Sequence, residues 1–268
     1  MPLAARCPTM ISIMRNKIVK IAVAAFWLGL WQLLAMCVSR DFILASPIQV
    51  FRRLVDLIAT DDFWRTLLRS ALHILSGFAI GLVIGVVTAA CSSRFRVCRT
   101  LLTPLYAVIR AIPVASYVIL ALFWLPSRSL SVLIAALVVF PLIYTFALAE
   151  IGRVDPKMLE MARLFRLPMC KKALYCYLMP SLDSFATTCA TAIGMAFKSG
   201  VAAELICMPS GTIGDQLYRA KVYLMSGDLL AWTIAVILLS AACSRLLADA
   251  LQLLKRKLEG GRTRGPGV

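Results

Sequence analysis

The stretch that decides the fold reads SLSVLIAALVVFPLIYTFALAEI and covers residues 129–151. Its charged residue, Glu150, stands near the end of the stretch. A helix needs about 20 mostly apolar residues to cross a hydrocarbon core of ~30 Å. Only helices and closed barrels can cross, because lipid offers the backbone no hydrogen bonds. This run is much longer than a barrel strand, so it predicts a transmembrane helix.

Similar apolar runs occur along most of the 268 residues, of which 61% are hydrophobic, well above the roughly half that is usual in soluble domains. The six predicted transmembrane helices are 18–38, 66–91, 101–125, 129–151, 183–203 and 229–250. The sequence therefore predicts an all-α, polytopic membrane protein. Its predicted parts are a cytoplasmic tail 1–17, a transmembrane domain 18–250 and a basic cytoplasmic tail 251–268.

The net charge of +16 is distributed unevenly between the loops. The segments 1–20, 92–100, 152–180 and 251–268 together carry +15, and the alternate segments 39–65, 126–128 and 204–228 together carry 0. Basic loops face the cytoplasm in membrane proteins, so both termini and 152–180 are predicted to be cytoplasmic. This accounts for the charge without nucleic acid as a partner. The basic run 255–257 is expected to be a disordered anchor on anionic lipid.

The N-terminal region allows a second interpretation. Residues Leu34-Ala35-Met36-Cys37 resemble a lipoprotein signal, but Met36 is bulky where such sites need a small residue. We expect the run to remain as a transmembrane helix. The nine cysteines form no CxxC pair and are expected to be buried apolar side chains.

Two patterns predict packing. Gly77, Gly81 and Gly85 recur every four residues and are continued by Ala89, which gives helix 66–91 a smooth face that another helix can approach closely.

Segment 47–59 predicts a short amphipathic helix on the outer surface. Its apolar face is Val50, Leu54, Leu57 and Ile58.

The sequence offers no catalytic apparatus. It contains no G-x4-G-K-[ST] phosphate loop, so we do not expect it to hydrolyse ATP. Its one histidine, His73, cannot form a histidine-based metal site or a triad. There are no paired carboxylates suited to acid–base catalysis. We predict a chain that is not an enzyme and that has no cofactor and no metal site.

The cytoplasmic segment 152–180 carries the strongest functional signal. Pro156 suits the first turn of a helix, because its missing N–H is not needed there. Met158, Met161, Ala162 and Phe165 then fall on one face, and Pro180 is expected to end the element. An apolar stripe outside the membrane must be buried. It either lies on the headgroups or docks into a groove on a soluble partner.

This segment resembles the EAA loop of bacterial ABC importer permeases, E-A-A-x3-G-x9-I-x-L-P. Glu160 and Ala162 match the first and third positions, and Leu178 matches the leucine. The departures are Met161 at the middle alanine, Arg166 at the glycine, Cys176 at the isoleucine, and Met179 at the proline, with Pro180 one residue late.

The resemblance to nitrate/sulfonate/taurine-type permeases extends over roughly residues 45–250. The matching stretches are 110–113 (RAIP), 196–206 (AFKSGVAAELI), 213–214 (IG), 217–221 (LYRAK) and 228–232 (DLLAW). It implies a type I ABC importer permease fold in a bacterial plasma membrane. Two copies, expected to be a homodimer, would form the path, an extracytoplasmic solute-binding protein would deliver a small solute, and a separate ATPase would drive transport. The coupling residues implied are Glu160, Met161, Ala162, Arg163 and Phe165.

Three charged residues stand in or at the margin of apolar helices: Arg110, Lys198 and Glu204. Charges at membrane depth are costly and normally pair with each other or face an aqueous path. If Arg110 and Lys198 face the path, they favour an anionic solute. Alternatively, they pair with Glu204 or Glu150, or extend to an interface.

Two other functions remain open. The chain could be a membrane scaffold or anchoring subunit of a complex that does not transport. It could also be a secondary carrier, but such carriers often show internal repeats and midplane acidic residues. We find no repeat between 1–125 and 126–268.

Overall fold

The computed structural model describes residues 10–38 and 44–260, which form helices and, within those ranges, no strand. The helices are α1 (Met10–Val38), α2 (Pro47–Ile58), α3 (Asp61–Arg94), α4 (Arg96–Ala111), α5 (Val114–Ala121), α6 (Ser127–Arg153), α7 (Pro156–Leu164), α8 (Met169–Lys172), α9 (Met179–Cys207), α10 (Ile213–Val222) and α11 (Ser226–Gly260). Among these, α3, α6, α9 and α11 are long and apolar enough to cross a membrane, and α4 with α5 makes a fifth candidate. The predicted all-α membrane fold is confirmed.

The ends of the chain differ from expectation. The first predicted span lies in α1, whose apolar part, Ile21–Cys37, is shorter than the other candidates. Residues 1–9 and 261–268 of the predicted tails lie outside the described residues. The run 255–257, predicted to be disordered, is instead part of α11. The Lys255 ammonium donates a hydrogen bond to Asp183 Oδ2 at 2.7 Å, which ties this end of α11 to α9.

The third predicted span is not one straight helix. It consists of α4 and α5, which meet at a bend of 100°. The bend lies at Pro113, because a proline disfavours helical geometry in the residue before it. Ile112 is accordingly extended, with φ −77° and ψ 130°. The break leaves Ile112 and Pro113 between the two helices, both exposed.

The amphipathic helix predicted for 47–59 is α2. Its first turn forms a capping box: Gln49 N–H donates to Ser46 Oγ at 3.3 Å and Ser46 N–H donates to Gln49 Oε1 at 3.0 Å. Val50 and Leu54 are buried, while Ile58 is 42% exposed and lies outside the packed face. Arg53 pairs with Asp228 at the start of α11, and this hydrogen bond raises the pKa of the Arg53 guanidinium.

Helices α3 and α6 run in the same direction and pack along the glycine face of α3. A Cβ added at Gly77 would lie 2.3 Å from the Val132 carbonyl oxygen, and one at Gly81 would lie 2.7 Å from that of Ala136. At Gly85 it would meet Ile143 at 2.9 Å. Only hydrogen fits at these positions, so the three glycines set the separation of α3 and α6.

The core lies between α3, α6 and α9. Ile74, Ile143 and Phe197, one from each helix, are almost completely buried. In lipid, helices associate through close packing and hydrogen bonds more than through hydrophobicity. These interlocking side chains therefore hold the bundle together, while exposed ones such as Val83 face the lipid.

The fifth span begins earlier than predicted. Pro180 does not end an element. It lies in the first turn of α9, which continues directly from a π-helical turn, Ala173–Leu178. Met179 N–H donates to the Leu174 carbonyl, five residues back. In a regular α-helix a proline ring collides with the carbonyl four residues earlier, and the wider turn makes room for it.

Candidate coupling helix and membrane cavity

The short helix α7 begins as the sequence predicts. Asp155 caps it, with Asp155 Oδ1 accepting a hydrogen bond from Lys157 N–H at 2.9 Å, and Pro156 occupies the first turn. An aspartate at this position satisfies a backbone N–H that has no helical partner.

The end of α7 is a Schellman motif. Leu167 N–H donates to the Ala162 carbonyl at 3.0 Å and Arg166 N–H donates to the Arg163 carbonyl at 3.0 Å. Arg166 therefore has φ +48°, in the left-handed region that glycine occupies most easily. Arg166 stands where the EAA pattern has glycine. The left-handed turn is therefore present here although the residue is an arginine.

The sequence predicted one apolar face of Met158, Met161, Ala162 and Phe165, but these residues differ in burial. Ala162 is 2% exposed, whereas Met161, Leu164 and Phe165 are 53%, 81% and 70% exposed. Helix α7 packs against the π-helical turn, and its buried residue is Ala162, whose small side chain permits close approach. We call the exposed set Met161, Leu164 and Phe165 the α7 patch. Leu164 was missed, although it lies three residues after Met161.

The two charged coupling candidates flank this patch. Glu160 and Arg163 are both exposed. Neither side chain makes a hydrogen bond or an ion pair within the described part of the chain. Both side chains are thus accessible to another molecule.

A cavity of about 300 Å³ opens at the bend between α4 and α5. Its walls come from α4, α5, α6 and, through Met195, α9. They are mostly apolar, with the polar side chains Tyr106, Arg110, Tyr117 and Thr145 among them. Of the three charged residues predicted for the path, only Arg110 lines this cavity.

The Arg110 guanidinium is held by aromatic side chains. It donates to the Tyr106 hydroxyl and lies 5.4 Å from the centre of the Tyr106 ring. Tyr106 in turn packs against the buried Tyr144 of α6, with ring centres 5.7 Å apart. Tyr144 donates to Ser92 of α3 at 3.2 Å. A cation over an aromatic face is stabilised by the ring's electrons.

Glu204 is 1% exposed and lies in the last turn of α9. Its Oε2 accepts from Ser70 Oγ at 2.8 Å and from Gly214 N–H at 3.3 Å, while its Oε1 has no partner. Ser70 Oγ also accepts from Ile213 N–H at 2.9 Å. Glu204 therefore joins α9 to α3 and to the start of α10.

The predicted pairings of Arg110 or Lys198 with Glu204 or Glu150 do not form. Glu150 pairs with Arg153 at 2.8 Å. Lys198 is exposed, three residues after Met195 on α9. No group of three or more metal-binding side chains occurs in residues 10–38 and 44–260.

Residues 81–259 match the family described as "Binding-protein-dependent transport system inner membrane component". The chain belongs to this family. It is therefore an ABC importer permease, a multi-pass inner-membrane transport subunit.

Among its relatives, the permease is 25% identical to the putative aliphatic sulfonates transport permease protein SsuC of Bacillus subtilis, over 86% of this chain and 83% of that protein. It is 24% identical to a probable ABC transporter permease protein of Brucella melitensis, over 84% of this chain and 91% of the relative. The fold is similar to that of an inward-facing MetNI methionine ABC transporter, with TM-score 0.50, 17% identity, and coverage of 70% of the permease and 93% of that chain.

Proposed function

We propose that this permease forms the translocation path for a small anionic solute and is driven by a separate ATPase that docks on α7. The observation that carries the proposal is the α7 patch, three large apolar side chains exposed on a short helix outside the transmembrane segments.

The α7 patch suits a protein groove. Met161, Leu164 and Phe165 project from a helix of fixed orientation, because Ala162 is buried beneath them and both helix ends are capped. An amphipathic helix with anchors at such spacing is a common ligand for a hydrophobic groove. Glu160 and Arg163 beside the patch would contribute polar contacts at the rim. The basic charge of 152–180 supports a cytoplasmic location for it.

The description of the family supports the proposal of further partners. Its name describes a membrane component that depends on a binding protein. We propose an extracytoplasmic solute-binding protein on the side opposite α7, a second copy of the chain completing the path, and both termini in the cytoplasm. The basic end of α11 would contact anionic lipid headgroups there.

The charge of the solute is supported by two cations. Arg110 lines the cavity, and Lys198 is exposed on α9 one turn beyond Met195, which lines the same cavity. The relative from Bacillus subtilis is named for aliphatic sulfonates, which are anions. Cations facing an aqueous path lower the cost of moving an anion through the membrane.

The test is purification of the tagged permease in mild detergent from its native membrane, with mass spectrometry of co-purifying proteins. We expect a stoichiometric ATPase. Replacing Met161 and Phe165 by alanine should reduce it by about tenfold or more, since truncating a buried aromatic anchor costs ~2 kcal/mol. Phe123→Ala is the matched control, because Phe123 is 80% exposed on the opposite side of the predicted topology.

Two outcomes would contradict the proposal. If no ATPase co-purifies under conditions that preserve a control transporter, the chain does not couple to one. If the ATPase is bound but reconstituted vesicles with the binding protein show no ATP-dependent uptake, the scaffold function is correct instead.

A further inference from the structure

The cavity at the α4–α5 bend has one charged group and a large apolar wall. Arg110 provides the charge, and the wall includes Ile109, Ile134, Leu137 and Met195. Small-molecule sites typically combine apolar walls with a few placed polar groups that fix orientation. A volume of about 300 Å³ equals that of about ten water molecules. The space suits a compact molecule with one polar end.

Arg110 and Tyr106 are the lining residues whose donor hydrogens remain available among the four polar side chains of this cavity. Tyr117 O–H is directed to the Val108 carbonyl and Thr145 O–H to the Pro141 carbonyl, so their hydrogens are already used. Tyr106 O–H accepts from Arg110, which leaves its own hydrogen available. The remaining guanidinium N–H groups of Arg110 and the Tyr106 hydroxyl can therefore both donate to an oxyanion.

We propose that this cavity binds a small organic monoanion, with its oxyanion on Arg110 and its apolar body against α6 and α9, and that Tyr106 is the positioning residue for Arg110. This inference rests on the proposed function, because it names the class of solute that the path accepts. An inorganic oxyanion would lose its bound water on all sides, but Arg110 and Tyr106 would replace those hydrogen-bond donors on one side only. A dianion would place a second charge against apolar side chains, which is costly.

Tyr106 can position Arg110 because it is itself packed against a buried tyrosine. Its ring contacts both the Arg110 guanidinium and the buried Tyr144, and Tyr144 donates a hydrogen bond to Ser92. An arginine side chain without such support samples many rotamers, and ordering it on binding has an entropic cost. Tyr106 therefore holds the cation at the mouth of the cavity before a solute arrives.

The experiment places a thiol in the cavity with Thr145→Cys and measures its modification in purified permease. The probes are two methanethiosulfonate reagents of similar size, one carrying an ethylsulfonate group and one a trimethylammonium group. Peptide mass spectrometry reads the labelling at position 145 alone, so the native cysteines remain. We expect the anionic reagent to react faster than the cationic one by roughly tenfold or more.

Variants of Arg110 and Tyr106 test whether these residues cause the preference for the anionic reagent. Arg110→Gln should abolish it and Arg110→Lys should retain it. Tyr106→Leu should weaken it, and Tyr106→Phe, which keeps the ring, should restore part of it. Thr233→Cys on α11, whose native hydroxyl is bonded to the Leu229 carbonyl, is the matched control and should show no preference.

Competition defines the class of ligand. Hexanesulfonate should protect the thiol at position 145, and nitrate or hexanedisulfonate at equal ionic strength should protect it at least about tenfold less well. Equal reaction of both reagents would overturn the anion site, and equal protection by nitrate would overturn the organic class. Because labelling needs neither ATPase nor uptake, failure here is distinguishable from failure of the proposed function.

Discussion

Gly214 lies directly against Glu204, so closely that a Cβ at position 214 would be 2.3 Å from the Glu204 Cβ. The contact brings the Gly214 N–H to the buried carboxylate and joins the end of α9 to the start of α10. The two residues are ten positions apart, and the loop between them is anchored by Arg69, which donates to the Ser210 carbonyl at 3.1 Å.

Gly214→Ala should destabilise the permease by about 1–3 kcal/mol, because an inserted methyl group must displace the backbone of Glu204. The measurement is thermal unfolding in detergent. Gly194→Ala on α9 is the control, since nothing lies within 4 Å of its added Cβ. Equal unfolding midpoints for both variants would show that the junction tolerates the methyl group.

Ser70→Ala removes a hydroxyl that serves two partners at once. It leaves Ile213 N–H without its acceptor and Glu204 Oε2 without its strongest donor. Unsatisfied buried groups cost about 1–3 kcal/mol each, so we expect a lower midpoint of thermal unfolding. Ser76→Ala on the same helix, where the hydroxyl is bonded to the His73 carbonyl, should have little effect. A similar loss in both variants would argue against a special role for Ser70.

The glycines facing α6 should be individually irreplaceable. Gly77→Ala would place a methyl group on the Val132 carbonyl, and separation of α3 from α6 would follow. We expect a cost of about 1–3 kcal/mol, read as reduced yield of monodisperse protein and a lower unfolding midpoint. Gly29→Ala in α1, with nothing within 4 Å, serves for comparison. An unchanged Gly77→Ala variant would contradict the close packing.

Arg166→Gly should stabilise the end of α7. A left-handed backbone is costly for residues with a Cβ, and the greater flexibility of glycine in the unfolded chain offsets part of the gain, leaving at most ~1 kcal/mol. Slower amide hydrogen exchange in α7 would show this stabilisation. Arg166→Ala removes the same charge but keeps the Cβ, so its exchange should match that of the parent. Faster exchange in Arg166→Gly would refute the interpretation.

Much of the fold follows from hydrophobic run length, because lipid requires a continuous apolar helix. The apolar runs located the four long candidate spans but also predicted a straight span over the bent pair α4 and α5 and a span in α1, whose apolar part is shorter. The spacing of Gly77, Gly81 and Gly85 identified a face without side chains. The spacing could not identify α6 as the helix that covers this face. That depends on a contact between residues more than fifty positions apart, which local pattern does not record.

The incorrect predictions at Pro113, Pro180 and Ala162 have local physical causes. A proline can end a helix, bend it or be accommodated: Ile112 before Pro113 is extended and the helix breaks, whereas Pro180 follows a π-helical turn and the helix continues. At the candidate site, the sequence indicated α7 and Arg110 but misplaced Ala162, because helical spacing alone cannot tell which side packs inward. The partners of Glu204 come from Ser70 and Gly214, and nothing near Glu204 in sequence predicts them.

The π-helical turn at Ala173–Leu178 has a mechanical consequence. Because it lets the helix pass Pro180 without a break, residues 169–207 form one continuous helical segment, roughly 58 Å long at 1.5 Å per residue. Its near end carries the turn against which α7 packs, and its far end carries Glu204 and the junction with α10. In a rod of this length, a tilt of about 10° at one end moves the other by ~10 Å. A tilt of this helix would therefore act as a lever between the α7 contact at one end and the α10 junction at the other.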